Sequence, residues 1–257
     1  MAPKSSRVDW KSWLSRWDRQ QSGYMPYREE RFNAMIDVVD ALPGPALRAI
    51  DLASGPGSLS QRLLQRVRRA HCVAVDYDPV LLRIGHHALK GLAARLTWAE
   101  ADLREPTWVG RLPEGPYDAV LSTTALHWLT APELTRVYRQ VRDLLRPGGV
   151  FMNGDHMAYD PSQTALRSIA KTLNDKRTRA GFSKGAAERW DDWWSAVDKV
   201  AELRTVLEER RRRFPAGHGA EPEFLARFHE TALREAGFRE VAPIWQNLDN
   251  RVMLGVA

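Results

Sequence analysis

The chain has 257 residues, 44% hydrophobic and 27% charged, which is the balance of one large folded domain or a domain with an insertion and excludes a disordered chain. No apolar run nears the roughly 18–20 residues that span a bilayer, and no leader-like apolar stretch follows Met1, so a cytoplasmic protein with no membrane partner is expected. A single cysteine, Cys72, excludes an intrachain disulfide and a multi-cysteine zinc site, and the net charge of +6 is spread along the chain rather than gathered in a basic tail.

Trp10, Trp13, Leu14 and Trp17 recur at the i, i+3, i+4, i+7 spacing of an amphipathic helix, and a second helix is predicted over 29–42, stopped by Pro43-Gly44-Pro45. Residues 1–45 thus form a helical cap. After that break, short apolar runs alternate with helical stretches. Strands are predicted over 46–52, 71–76, 96–101, 117–122 and 150–154, with helices over 58–69, 79–94 and 132–145 between them. The last of these helices ends at Arg146-Pro147-Gly148-Gly149.

From 157 to 220 the pattern is helical, with Trp190, Trp193, Trp194 and Val197 on one stripe and the basic run Arg210–Arg213 closing a helix whose dipole it complements. Such a stripe is more often a packing face than a ligand box. A helix over 221–237 and two strands, 238–246 and 251–257, joined at Asn247-Leu248-Asp249-Asn250, complete the chain. The expected fold is α/β: a Rossmann-like, seven-stranded, mostly parallel sheet with a C-terminal antiparallel hairpin and a helical insertion after the fifth strand. The expected divisions are a cap (1–45), a core (46–156), an insertion forming a lid (157–220), and a helix and hairpin completing the core (221–257).

Ligands of an open parallel sheet bind beyond the carboxyl ends of its strands. Those ends carry Asp51, Asp76, Asp102 and Asp155, an excess of acid that a purely structural sheet does not need. Gly55 and Gly57 allow a sharp turn and close approach of a ligand to backbone. The turn fits neither the G-x-G-x-x-G nor the P-loop pattern, and an acid at its start repels pyrophosphate but suits an ammonium group. Asp76, 25 residues after Asp51, stands where a second-strand acid reaches ribose hydroxyls. The residues ask for a nucleoside with a cationic, amino-acid-like tail.

The stretches AIDLASGPGSLSQRLL, AVDYDPVLL, AEADLREP, YDAVLSTTALHWL and LLRPGGVFMNGD occur in this order. With them the chain resembles the class I S-adenosylmethionine-dependent methyltransferases, and its Ala-x-His-Trp segment loosely resembles the trans-aconitate type. The resemblance implies S-adenosylmethionine as cofactor and no metal. Asp51, Ala53, Ser54, Gly55 and Gly57 would line its methionine part, Asp76 its ribose, and Tyr77, Asp102 and Leu103 its adenine. Thr123 would offer backbone contacts near the amino group, His127 would lie beside the methyl, and Arg31, preferred over Arg28, would pair with the carboxylate. Ala53 departs from the family pattern, which has glycine there.

Two histidines are catalytic candidates. His127 follows the fourth strand, and an imidazole's ordinary pKa near 6.5 suits proton removal at neutral pH, although a cofactor-wall role needs only its shape. His156 ends the fifth strand at the same rim. Arg177, Arg179 and Arg189 of the insertion could pair with an anionic group on an acceptor. His86-His87, without a nearby cysteine, reads as helix surface. The expected function is methylation of a small molecule, a secondary metabolite among the options, with oxygen favoured, by a monomer or homodimer. An RNA methyltransferase or a non-catalytic S-adenosylmethionine-binding protein is the alternative, and nucleic acid is disfavoured because no flipped-base tetrad is present.

Overall fold

The computed structural model describes residues 8–183, 187–214 and 223–257. Seven strands form one sheet in the order β3-β2-β1-β4-β5-β7-β6. They are β1 (Leu47–Leu52), β2 (Ala70–Asp76), β3 (Leu96–Glu100), β4 (Tyr117–Thr123), β5 (Leu145–His156), β6 (Glu240–Asn247) and β7 (Asn250–Val256). β1 to β5 are parallel, whereas β7 runs antiparallel to both β5 and β6. The order reverses between β1 and β4, so the crevice that such sheets use for ligands opens above these two strands.

Helices α1 (Trp10–Tyr24), α2 (Arg28–Ala41), α3 (Ser58–Arg66) and α4 (Pro79–Ala88) cover one face. α5 (Ala131–Leu144) and α9 (Ala226–Glu235) cover the other. The two cores follow the period of two along β1: Leu47 and Ala49 face the first layer, Ile50 and Leu52 the second. Both faces being buried, the strands are continuous apolar runs, which is why they are legible as strands.

Between β5 and α9 lie α6 (Thr164–Gly181), α7 (Trp190–Val197) and α8 (Arg204–Arg213). The tryptophan stripe of α7 is a packing face. Trp193 is fully buried, meeting Trp13 edge-on at 5.7 Å and Trp17 at 5.2 Å between ring centroids. The stripe of α1 therefore buries itself against the insertion as well as the sheet. Arg16 of α1 pairs with Glu188 at 2.5 Å across the same seam. The basic run of α8 does complement the helix end, but Arg210 also reaches Asp78 at 2.6 Å and Arg213 reaches Glu100 at 2.6 Å, tying the insertion to the ends of β2 and β3.

Three boundaries differ from the sequence reading. β5 begins at Leu145 and runs through Arg146-Pro147-Gly148-Gly149, because a register shift between Tyr117 and Ala119 of β4 absorbs these residues. The hairpin turn is tighter than four residues: Asn247 pairs with Asn250, and Leu248 takes the left-handed φ of +57° that this needs. α9 begins at Ala226, and the earlier part of the helix predicted over 221–237 includes 221–222, outside the described residues. His86 and His87 lie on the outer surface of α4, stacked on Trp98 and Trp10.

α4 also sets the height of the glycine turn. A Cβ on Gly85 would lie 2.7 Å from the Pro56 carbonyl oxygen and would collide with the Trp98 ring. Gly85→Ala gains about 1 kcal/mol of helix propensity. Overpacking against backbone costs more, so net destabilisation of about 1–2 kcal/mol is expected. Thermal unfolding measures this, and an unchanged or raised midpoint would refute the close packing of α4 under the turn.

Candidate active site

The β1–α3 turn alternates left-handed residues: Ala53 (φ +56°), Gly55 (φ +56°) and Gly57 (φ +82°). Ala53 therefore adopts a conformation that glycine takes freely, so its methyl is accommodated at some backbone strain. Below the turn, Asp51 is fully buried. Its Oδ2 accepts from the Ser60 amide at 2.9 Å and the Ser60 hydroxyl at 2.6 Å, while Oδ1 has no partner. Burial pushes this carboxyl up to about 6, against the hydrogen bonds from Ser60 and the charge of Arg28.

Asp76, at the end of β2, holds the neighbouring loops together. Its Oδ2 accepts from the Gly55 amide at 2.6 Å, and its Oδ1 from the amides of Tyr77 and Asp78 at 2.8 and 2.7 Å. Burial, with Asp78 adding to it, raises this carboxyl too to about 6, although the three amides pull it down. Past β3, Asp102 is gripped by Arg104 at 2.7 to 3.1 Å, which outweighs burial and holds its carboxyl below the usual range. Arg104 and Arg213 both lie against the Tyr77 ring, and Leu103 is buried beside them. Ser54 donates its amide to the Val75 carbonyl at 2.9 Å, joining the turn to β2.

The cap supplies two buried arginines. Arg31 donates to Asn250 Oδ1 at 3.0 Å and to Thr123 Oγ1 at 2.6 Å, and it also bonds the Thr124 hydroxyl. None of these partners belongs to the glycine turn. The arginine beside that turn is Arg28, which pairs with Asp18 at 3.0 Å, the same carboxylate that accepts from Ser58 at the start of α3. Three residues advance a helix by about 4.5 Å, enough to move α2 from the turn to the ends of β4 and β7. Arg31, the expected carboxylate partner, is thus held at the ends of β4 and β7, while Arg28 stands nearer the glycine turn. Thr123 contributes its hydroxyl to Arg31, and Thr124 turns left-handed at φ +56° beside it.

His127 sits in a short 3-10 turn, Leu126–Trp128, after β4. Its Nδ1 faces both carboxylate oxygens of Asp155, at 2.9 and 3.0 Å. Asp155 is 1% exposed, yet His127 and Arg31 outweigh burial and hold its carboxyl below the usual range. An ionised Asp155 only accepts, so Nδ1 of His127 carries the proton in this pair. His156 is not brought to this pair. It is half-exposed and faces Asp249 at 3.2 Å across the β6–β7 turn. The reason is the strand period: at the end of β5, neighbours 155 and 156 point to opposite faces. Asp155 was visible as a rim acid, but its pairing with His127 joins residues 28 apart and had no sequence signal. Of the three insertion arginines, Arg177 lines a pocket at this rim, whereas Arg189 lies over Phe182 and Arg179 is exposed. Among the described residues no three His, Cys, Asp or Glu side chains gather as a metal site, and no helix is long and apolar enough to cross a membrane.

The arrangement has clear relatives. Residues 49–149 match a family described as a methyltransferase domain. The chain is 32% identical over 153 residues to trans-aconitate 2-methyltransferase of Azoarcus sp., covering 59% of this chain and 55% of that one. It is 28% identical to the same enzyme of Methylobacterium nodulans over 87% of this chain and 91% of that one. In the first alignment it therefore spans little more than half of the relative's length. An O-methyltransferase family protein of Burkholderia thailandensis superposes with a TM-score of 0.55 at 18% identity, covering 96% of this chain and 70% of the other, a likeness of fold. Residues 49–149 thus carry a methyltransferase domain, and the relatives and the shared fold support a class I S-adenosylmethionine-dependent methyltransferase. The buried, partnerless Asp51 Oδ1 fits that cofactor, since an unsatisfied acceptor at a glycine turn is completed by an ammonium group.

Proposed function

We propose that this protein methylates an oxygen of a small molecule, with S-adenosylmethionine as donor, and that the His127–Asp155 pair removes the acceptor's proton. The observation that supports this reading is the two-oxygen contact of Asp155 with His127 Nδ1 just past the carboxyl end of β4. When bound, the cofactor supplies an electrophilic methyl group on a sulfonium. Asp51 and the turn 53–57 would hold the methionine part, with Arg28 toward its carboxylate. Asp76 would hold the ribose, and Tyr77, Asp102 and Leu103 the adenine. His127 Nε2 takes the proton that the acceptor hydroxyl loses as its oxygen gains the methyl, and Asp155 stabilises the resulting imidazolium. The insertion and cap would form the wall that holds the acceptor and keeps water out.

Titration with S-adenosylhomocysteine tests the cofactor half. Asp51 and Asp76 have carboxyls raised to about 6, so in the free protein both are largely protonated at pH 5 and ionised at pH 7. The folded state then binds protons that the unfolded state has released, so these two groups lower the free protein's stability as pH rises from about 4 to 6, with no further change above. An ammonium and ribose hydroxyls favour the ionised forms. Affinity should thus rise with pH, by up to about tenfold per carboxylate between pH 5 and 7, with proton release on binding near pH 6. No binding at pH 7 would refute the proposal.

A further inference from the structure

A pocket of about 140 Å³ at the same strand-end rim, lined by His156 next in sequence to Asp155, has no part in that chemistry. Its wall includes Tyr27 between α1 and α2, His156 and Asn250 at the ends of β5 and β7, Asn247 at the end of β6, and Asn174 and Arg177 of α6. It lies one residue from Asp155 along β5, and its Asn250 is bonded to Arg31, whose other partner is Thr123 of β4.

The hydrogen bonds within this wall determine what it can bind. Asn247 Oδ1 accepts from Arg177 Nη1 at 3.0 Å, and Asn250 Oδ1 accepts from Arg31 Nη1 at 3.0 Å. A guanidinium has donors only, so each amide must turn its oxygen to its arginine and keep its NH₂ group for something else. Arg177 lies 4.9 Å over the Tyr27 ring, and no carboxylate pairs with it among the described residues. Asp249, behind this corner, faces His156 at 3.2 Å and accepts from Asn174 at 2.8 Å, so its charge is already met. One side of the pocket therefore offers two amide NH₂ groups, a guanidinium and an aromatic face, with their acceptors already engaged.

Resting on the reading of the His127–Asp155 pair as the site of methyl transfer, we infer that this pocket is an oxyanion subsite for the acceptor. An ionised group, carboxylate or equivalent, docks on Arg177, Asn247 and Asn250 with its organic body against Tyr27, while a separate protic oxygen is presented to His127. The two ends of the acceptor are thereby sorted by chemistry. The guanidinium of Arg177 has donors only, and the base at His127 is of no use to an atom without a proton.

The test uses malonate, succinate and benzoate, each against its neutral amide, titrated into protein saturated with S-adenosylhomocysteine. At least one anion should bind about tenfold or more tightly than its amide, and Arg177→Met should abolish that preference. Asn247→Asp, which puts a carboxylate opposite Arg177, should abolish it as well, whereas Arg179→Met on the exposed face of α6 should not. S-adenosylhomocysteine affinity should be the same in all of them, which separates failure of this subsite from failure of the cofactor site or of folding. An anion preference that survives Arg177→Met and Asn247→Asp, or its absence in the unaltered protein, would overturn the inference.

Discussion

Alanine at position 127 is expected to lower turnover by about 10²–10⁴ while leaving S-adenosylhomocysteine affinity within about twofold. The proposed role makes the effect large, since the imidazole would receive the acceptor's proton and Asp155 sets which of its nitrogens already carries one. Asp155→Asn is the more discriminating variant. An amide can donate to Nδ1, which moves the proton to Nε2 and removes the lone pair that the acceptor needs. Turnover should then fall nearly as far as in His127→Ala, with the imidazole still present. The measurement is tritium transfer from labelled S-adenosylmethionine to whichever compound of a hydroxyl-bearing panel is turned over. Asp155→Asn also removes a carboxylate whose charge favours buried Arg31, so some loss of stability accompanies it. Retained rate in His127→Asn, with an unchanged pH profile, would rule out proton abstraction and leave His127 as a wall.

The second large effect is at Asp76. Its carboxylate bonds three backbone amides, one of them Gly55, so it shapes the turn besides its proposed hold on the ribose. Asp76→Ala should weaken S-adenosylhomocysteine by about 10²–10³, combining two lost charge-assisted bonds to ribose with relaxation of the turn. Asp76→Asn keeps one oxygen acceptor and should fall between alanine and the parent. Calorimetry decides it: equal affinity in Asp76→Ala would move the ribose elsewhere. Asp102→Ala should cost less, because Asp102 is already bound by Arg104 and Leu103 would keep its proposed contact with the adenine.

Much of the sheet was legible because both its faces are buried. Strands such as 71–76 are uninterrupted apolar runs ending in an acid, and local chemistry marks the glycine turn and the aspartates at strand ends. What was not legible depends on direction in space. The choice between Arg28 and Arg31 turns on where α2 crosses the strand ends, which spacing within one helix does not encode. The pairing of His127 with Asp155 rather than with its sequence neighbour at 156 depends on which face of β5 each residue takes at that end. The tight Leu248-Asp249 turn and the strand through Arg146-Pro147-Gly148-Gly149 overrode local propensity because pairing with neighbouring strands fixes their register. The amides of Asn174, Asn247 and Asn250 come from three separate elements and acquire a shared function only through their arginine and aspartate partners.

The tryptophan seam between α1 and α7 bears on how such a protein can diversify. Two segments from opposite ends of the sequence order, one ahead of the first strand and one after the fifth, are fused into a single clasp by Trp13, Trp17, Trp190 and Trp193. Neither half is a free-standing module. Replacing the insertion with one that lacks the α7 tryptophans would leave Trp13 and Trp17 without their aromatic partners, and trimming the cap would strip the cover from Trp193. A change to either segment that keeps this seam must then be made by point substitutions within an intact clasp or by exchanging both segments together, while the sheet and its glycine turn stay as they are.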